Sequence, residues 1–245
     1  MSKEIITQNF QRETSDILAD TATSLLEGLT GIAASKREEL ALSVGHIFQG
    51  LRKGKFLTIL SREWKAYKEK GEIKEDYQYT EQHQSCLQEL LDFLDKDLPD
   101  EITFSFLKKI FLVTASEKAS DRESILPQQY MKICRKLSSG EIILLLATYN
   151  IAKMGHDYFK QIIDYQQSPS AHDWLNLMAK ESSLQYPELV KLYETELINK
   201  GLITKRQLSD NSGVSIRPYF RLSQLGYEIC NFIENYENDL QNEKA

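Results

Sequence analysis

Apolar residues recur at helical spacing over most of the chain. Ile17, Leu18, Leu25, Leu26, Leu29 and Ile32 mark one helix, and the pattern resumes with Leu40, Val44, Ile47, Phe48 and Leu51 over 40–60. Gly45, Gly50 and Gly54 are candidate breaks in that stretch. Trp64 and Tyr67 then fall on a charged helical segment that ends near Gly71. Residues 71–80, polar and rich in Tyr and charge, read as a linker. Leu87, Leu90, Leu91, Leu94 and Leu98 predict a helix over 86–98. Pro99 stops it, because proline has no N–H for the helical ladder and restrains the residue before it. Phe104, Leu107, Ile110, Phe111 and Val113 predict the next helix over 102–115. A polar loop over 116–127 and a short helix over 128–137 follow.

The second part of the chain is better punctuated. Ser138-Ser139-Gly140-Glu141 has the form of a helix start with an acid in the first turn. The apolar run 142–147 continues to Met154 without a turn signal, so its length predicts a buried helix and not a strand. A second helical piece and a Ser-Pro turn occupy 155–170, and Trp174, Leu175, Leu177 and Met178 give one face to a helix over 170–182. Pro187 stands where a helix begins, and Leu189, Val190, Leu192, Tyr193, Leu197 and Ile198 carry it to Lys200-Gly201. A strand over 202–208, a turn at 210–213, a return strand over 214–222 and a final helix capped by Ser223 complete the pattern. From Glu234 the chain reads as an acidic, frayed tail.

Composition agrees with a mainly helical protein. Apolar residues make up 41%, but only five Pro and eleven Gly are present, too few for the many turns of an all-β fold. The expected division is a helical region over 1–137, with 71–80 as its linker, a second domain over 138–236, and a tail over 237–245. The net charge of −6 lacks the strongly basic signature of a dedicated nucleic-acid binder. The three cysteines are odd in number and far apart, which predicts reduced thiols and a cytoplasmic setting. The N-terminus has no secretory pattern, and no run of about 18 apolar residues occurs. The nearest, 17–34, is interrupted by Asp20 and Glu27 and reads as a core helix, with a membrane-active amphipathic helix as the lesser alternative.

No reaction is named by any motif. The glycine-rich phosphate cradles are missing, as are His-Glu-x-x-His and paired Cys-x-x-Cys. His83 and Cys86 form half of a metal motif at most and read as a linker histidine beside a core cysteine. His-Asp dipeptides occur at 156–157 and 172–173, but His46 and His83, the other histidines, lie far upstream, and Asp173 fits the first turn of a helix. No arginine is followed by histidine at the spacing that helical RNases of bacterial defence use. No catalytic residue, metal or cofactor is expected. The stretch 52–74 holds eight Lys and Arg against three Glu, a net charge of +5. Its Arg62, Lys65 and Lys68, interleaved with Trp64 and Tyr67, are candidate contacts for nucleic acid or anionic lipid, against the plainer reading of a solvated helix face.

The order helix, glycine-closed helix end, strand, polar turn, strand, helix resembles winged-helix proteins. It is carried by Leu197-Ile198-Asn199-Lys200-Gly201-Leu202-Ile203 and by Tyr219-Phe220-Arg221-Leu222-Ser223-Gln224-Leu225-Gly226. The resemblance implies a recognition helix at 187–200 and a wing with Lys205, Arg206, Arg217 and Arg221 as candidate DNA contacts. That helix carries Glu188, Glu194 and Glu196 against Lys191 and Lys200, which suits protein docking better than phosphate. Residues 86–148 are similar to the Abi-alpha family of bacterial abortive-infection proteins. The similarity rests on Leu98-Pro99-Asp100-Glu101, Phe106-Leu107, Phe111-Leu112 and Leu137-Ser138-Ser139-Gly140-Glu141, and departs at Gly140 and in the loop 116–127. It implies a bacterial protein of host–phage conflict with no catalytic residues to carry over. The expected function is a non-enzymatic interaction protein that docks a protein partner or a second copy. The alternative is a winged-helix transcriptional regulator, and a membrane-permeabilising effector built on 17–34 comes last.

Overall fold

The computed structural model describes residues 51–71, 73, 80–96, 100–115, 126–162, 171–210, 213–216 and 221–241. The expected helix over 17–34, with the membrane-active alternative built on it, and Arg217 lie outside the described residues, as does most of the linker and of the loop over 116–127. The chain divides into two compact units, Met1–Arg135 and Lys136–Ala245. Among the described residues it is mainly helical, with eight helices and one two-stranded hairpin.

The first unit holds α1 (Leu51–Glu69), α2 (Glu81–Lys96), α3 (Glu101–Ala115) and α4 (Leu126–Cys134). α3 is its centre and packs against the other three. Eleven of its fifteen residues are buried, as expected of a helix that is apolar on nearly every side. Asp100 starts it, accepting from the Thr103 N–H at 2.8 Å and from the Thr103 hydroxyl at 2.7 Å. α1 contributes Phe56, Leu57, Leu60, Trp64 and Tyr67, all buried on one face. It runs through Gly54, an expected break, whose carbonyl accepts from Thr58. α2 begins at Glu81, five residues before the expected start at Cys86, because Thr80 caps it through the His83 N–H at 3.2 Å. His83, assigned from sequence to the linker, is therefore a core residue with no exposed surface.

The second unit holds α5 (Ser139–Ile162), α6 (Ala171–Glu181), α7 (Pro187–Asn199), β1 (Gln207–Asp210), β2 (Gly213–Ile216) and α8 (Gln224–Gln241). Ser138 and Glu141 form a reciprocal cap on α5. The Ser138 N–H and hydroxyl donate to the Glu141 carboxylate at 2.7 and 2.8 Å. α5 continues through Gly155 as one helix where a break was expected, and α8 extends to Gln241 where a frayed tail was expected. α7 ends as its sequence predicts. Gly201 takes φ +73° and donates to Ile198 O at 2.9 Å, while Leu202 N–H donates to Leu197 O at 2.9 Å. β1 and β2 pair antiparallel, Gln207 with Ile216 and Asp210 with Gly213. Nearer the helices, Ile203 and Leu222 form an antiparallel bridge, and residues 217–220 of the expected return strand lie outside the described residues.

The start of α8 is fastened to that bridge. The Ser223 hydroxyl lies within hydrogen-bond reach of the Gly201 and Leu202 carbonyls, at 2.7 and 2.9 Å, and accepts from the Gly226 N–H at 3.0 Å. A Cβ at Gly226 would sit 2.2 Å from the Leu202 carbonyl oxygen. Backbone cannot swing aside as a side-chain tip can, so Gly226→Ala is expected to cost about 1–3 kcal/mol. The denaturant midpoint of the second unit measures it, and an unchanged midpoint would show that α8 does not rest on Leu202.

Candidate functional site

Two of the cations expected to face a ligand in the second unit, Arg206 and Arg221, face a buried carboxylate instead. Glu194, on the inward side of α7 between Val190 and Leu197, is 5% exposed. One carboxylate oxygen accepts from the Trp174 indole N–H of α6 at 3.0 Å and is ion-paired with Arg221. The other accepts from Arg206 at 2.5 Å. Arg221 is 2% exposed and also donates to the Thr204 carbonyl at 2.9 Å. Burial pulls its pKa below the ordinary guanidinium value, and the Glu194 charge opposes that shift. One carboxylate thus ties α6, α7 and the segments on either side of the hairpin.

This placement takes Arg206 and Arg221 out of the expected basic wing. Arg221 is buried and paired, and Arg206 is half-buried and paired. Arg217 lies outside the described residues, and of the other three Lys205 alone is exposed. The outward side of α7 carries Glu188, Lys191, Leu192, Thr195, Glu196 and Asn199, with a net charge of −1 from two Glu and one Lys. Leu192 is 55% exposed at its middle, and Tyr186, 61% exposed, stands at its start. Lys200 turns back to Glu141 at the beginning of α5 and to Glu196 on its own helix. The turn between α6 and α7 holds Ser183 and Gln185 in the left-handed region, at φ 56° and 66°. An open cavity of about 360 Å³ lies beside it, lined by Asn176, Lys180, Ser183 and Gln185 among others.

Arg62, Lys65 and Lys68, by contrast, are exposed on α1 as expected. Trp64 and Tyr67 do not join them. Both are turned inward, at 5% exposure. Trp64, His83 and Phe111 stack as a triangle, with ring centroids 5.1, 5.3 and 5.4 Å apart. Burial lowers the His83 pKa to about 4. Below the triangle, Lys108 of α3 donates to Glu63 of α1 at 2.6 Å.

A further polar cluster joins α5 to α8. Tyr149 of α5 donates to Glu234 of α8 at 2.6 Å, and Lys153 pairs with the same carboxylate. Burial and the Glu234 partner push the Tyr149 phenol up, while Lys153 and Tyr149 hold Glu234 below the usual carboxylate range. The cysteines are reduced and buried, and burial pushes Cys86 up to about 12, far from a reactive thiolate. Among the described residues no three His, Cys, Asp or Glu are placed to hold a metal ion, and no helix is long and apolar enough to cross a membrane. No family model, curated protein or solved structure matches this chain.

Proposed function

We propose that this chain is a non-enzymatic bacterial protein of phage defence, of the abortive-infection kind, which docks a protein partner or a second copy of itself. Its second unit is a winged helix used for docking, with the outward side of α7 as the contact face. Support for the family comes from the resemblance carried by residues 86–148. Support for the winged helix comes from the order α6, α7, hairpin, α8, with Gly201 and Ser223 at the two junctions.

The observation that carries the docking role is the withdrawal of Arg206 and Arg221 onto Glu194. A phosphate-facing surface needs free cations. Here the face that would enter a groove is left weakly acidic, with Leu192 and Tyr186 exposed upon it. Exposed apolar and aromatic side chains within a polar rim suit a protein interface. The transcriptional-regulator reading retains one supporting feature, the exposed Lys205 next to the hairpin.

The test is phage plating on a bacterial host that expresses the full chain. Protection is expected, and Leu192→Asp with Tyr186→Ser should abolish it at unchanged protein level. No protection, or protection that survives both substitutions, would overturn the docking role. Nanomolar, sequence-selective DNA binding lost on Lys205→Glu would establish the regulator in its place.

A further inference from the structure

The outward face of α1 has a different chemistry from that of α7. Lys55, Arg62, Lys65 and Lys68 are all exposed. Successive helical residues turn by about 100°, so these four fall within about 140° of one another, opposite the buried Phe56, Leu60, Trp64 and Tyr67. From Lys55 to Lys68 the stripe is about 20 Å long at about 1.5 Å per residue. One acid, Glu69, lies on it, 3.8 Å from Lys65. The other carboxylate of the helix, Glu63, is turned to Lys108. The Lys55–Glu101 pair at 3.2 Å joins two side chains that are 64% and 73% exposed, a contact that a stronger anion displaces at little cost.

The partner that suits this face is defined by what the face lacks. None of the exposed large hydrophobic residues among the described ones is on α1. A protein interface needs an apolar centre, which this face does not offer, and an anionic membrane would hold it by surface charge alone, without side chains to insert. Trp64 and Tyr67 are buried, so unpaired bases have no ring on which to stack. What remains is a band of cations, complementary to phosphates.

We propose that the outward face of α1 is a sequence-independent contact surface for the phosphate backbone of duplex nucleic acid. It is separate from the docking role of α7 and stands or falls without it. With Lys65 counted as offset by Glu69, the other three cations make three phosphate contacts, and the slope of log affinity against log salt is roughly −2.7, at about −0.9 per contact.

Fluorescence anisotropy of the full chain with a 20-base-pair duplex of arbitrary sequence provides the test. Between 50 and 200 mM salt the affinity should fall roughly forty-fold, the consequence of that slope. Arg62→Glu with Lys68→Glu, both exposed and expected to leave the circular dichroism unchanged, should remove two contacts and reduce the fall to roughly 3.5-fold. Lys205→Glu should change neither slope nor affinity, which keeps this result apart from any contact made by the hairpin. Binding that is insensitive to the α1 substitutions, stronger binding to single strands, or stronger binding to vesicles rich in anionic lipid would each overturn the proposal.

Discussion

Glu194→Ala is expected to destabilise the second unit by about 3–5 kcal/mol, the cost of leaving a buried charge without its counter-ion. The loss falls chiefly on Arg221, which is 2% exposed and cannot turn to water when the carboxylate is gone. The Trp174 indole N–H loses its acceptor in the same step. Arg206, with 26% of its side chain exposed, can reach solvent, so Arg206→Ala should cost about 1 kcal/mol or less. Removing the whole buried pair is a different experiment from breaking it. Glu194→Met with Arg221→Met should recover most of the loss, because apolar side chains of similar size replace two charges that were expensive to bury. Hydrogen exchange of α7 peptides through a urea series reads the second unit alone. A loss below about 1 kcal/mol for Glu194→Ala would place the network at the level of an ordinary surface pair.

The same residue shows what the sequence could and could not convey. The start of α7 at Pro187 and its end at Gly201 are legible because each rests on a local rule, the missing N–H and the left-handed backbone. The cap on α5 is legible for the same reason, since Ser138 and Glu141 satisfy each other within one turn. The charge of Glu194 alone suggests an outward side chain. Its phase tells otherwise. Val190, Glu194 and Leu197 lie four and three residues apart on one side of the helix, and both apolar neighbours are buried. His83 repeats the lesson, in phase with Leu87, Leu90 and Leu94, yet read as linker because its side chain is polar. Lys108, four residues after Phe104 and three before Phe111, is the third case. A polar residue in apolar phase signals burial, and its partners come from elsewhere in the chain. Arg206 is 12 residues from Glu194 and Trp174 is 20, and no local pattern announces either pairing.

His83 gives the second large expected effect, a dependence of the first unit's stability on pH. In the folded protein its pKa is lowered by burial from 6.5 to about 4. A proton would place a full charge between the rings of Trp64 and Phe111, where water does not reach. Glu63 of α1 and Lys108 of α3 are bound to each other. In the unfolded chain the imidazole protonates near its ordinary value. Between pH 6.5 and 4 the unfolded state therefore holds one more proton than the folded state, and stability rises with pH across that window. The His83 contribution is complete above pH 6.5 and lost on acidification, amounting to about 3 kcal/mol by pH 4 at about 1.4 kcal/mol per unit. The diagnostic range is pH 6.5 to 5, above the range in which carboxylates ordinarily titrate. Over it, urea midpoints of α2 and α3 peptides followed by hydrogen exchange should fall steeply in the native chain. In His83→Leu, which keeps an apolar side chain of similar size in the triangle, they should stay nearly flat. A native chain as insensitive to pH in this range as His83→Leu would mean that the imidazole takes up its proton without leaving the core.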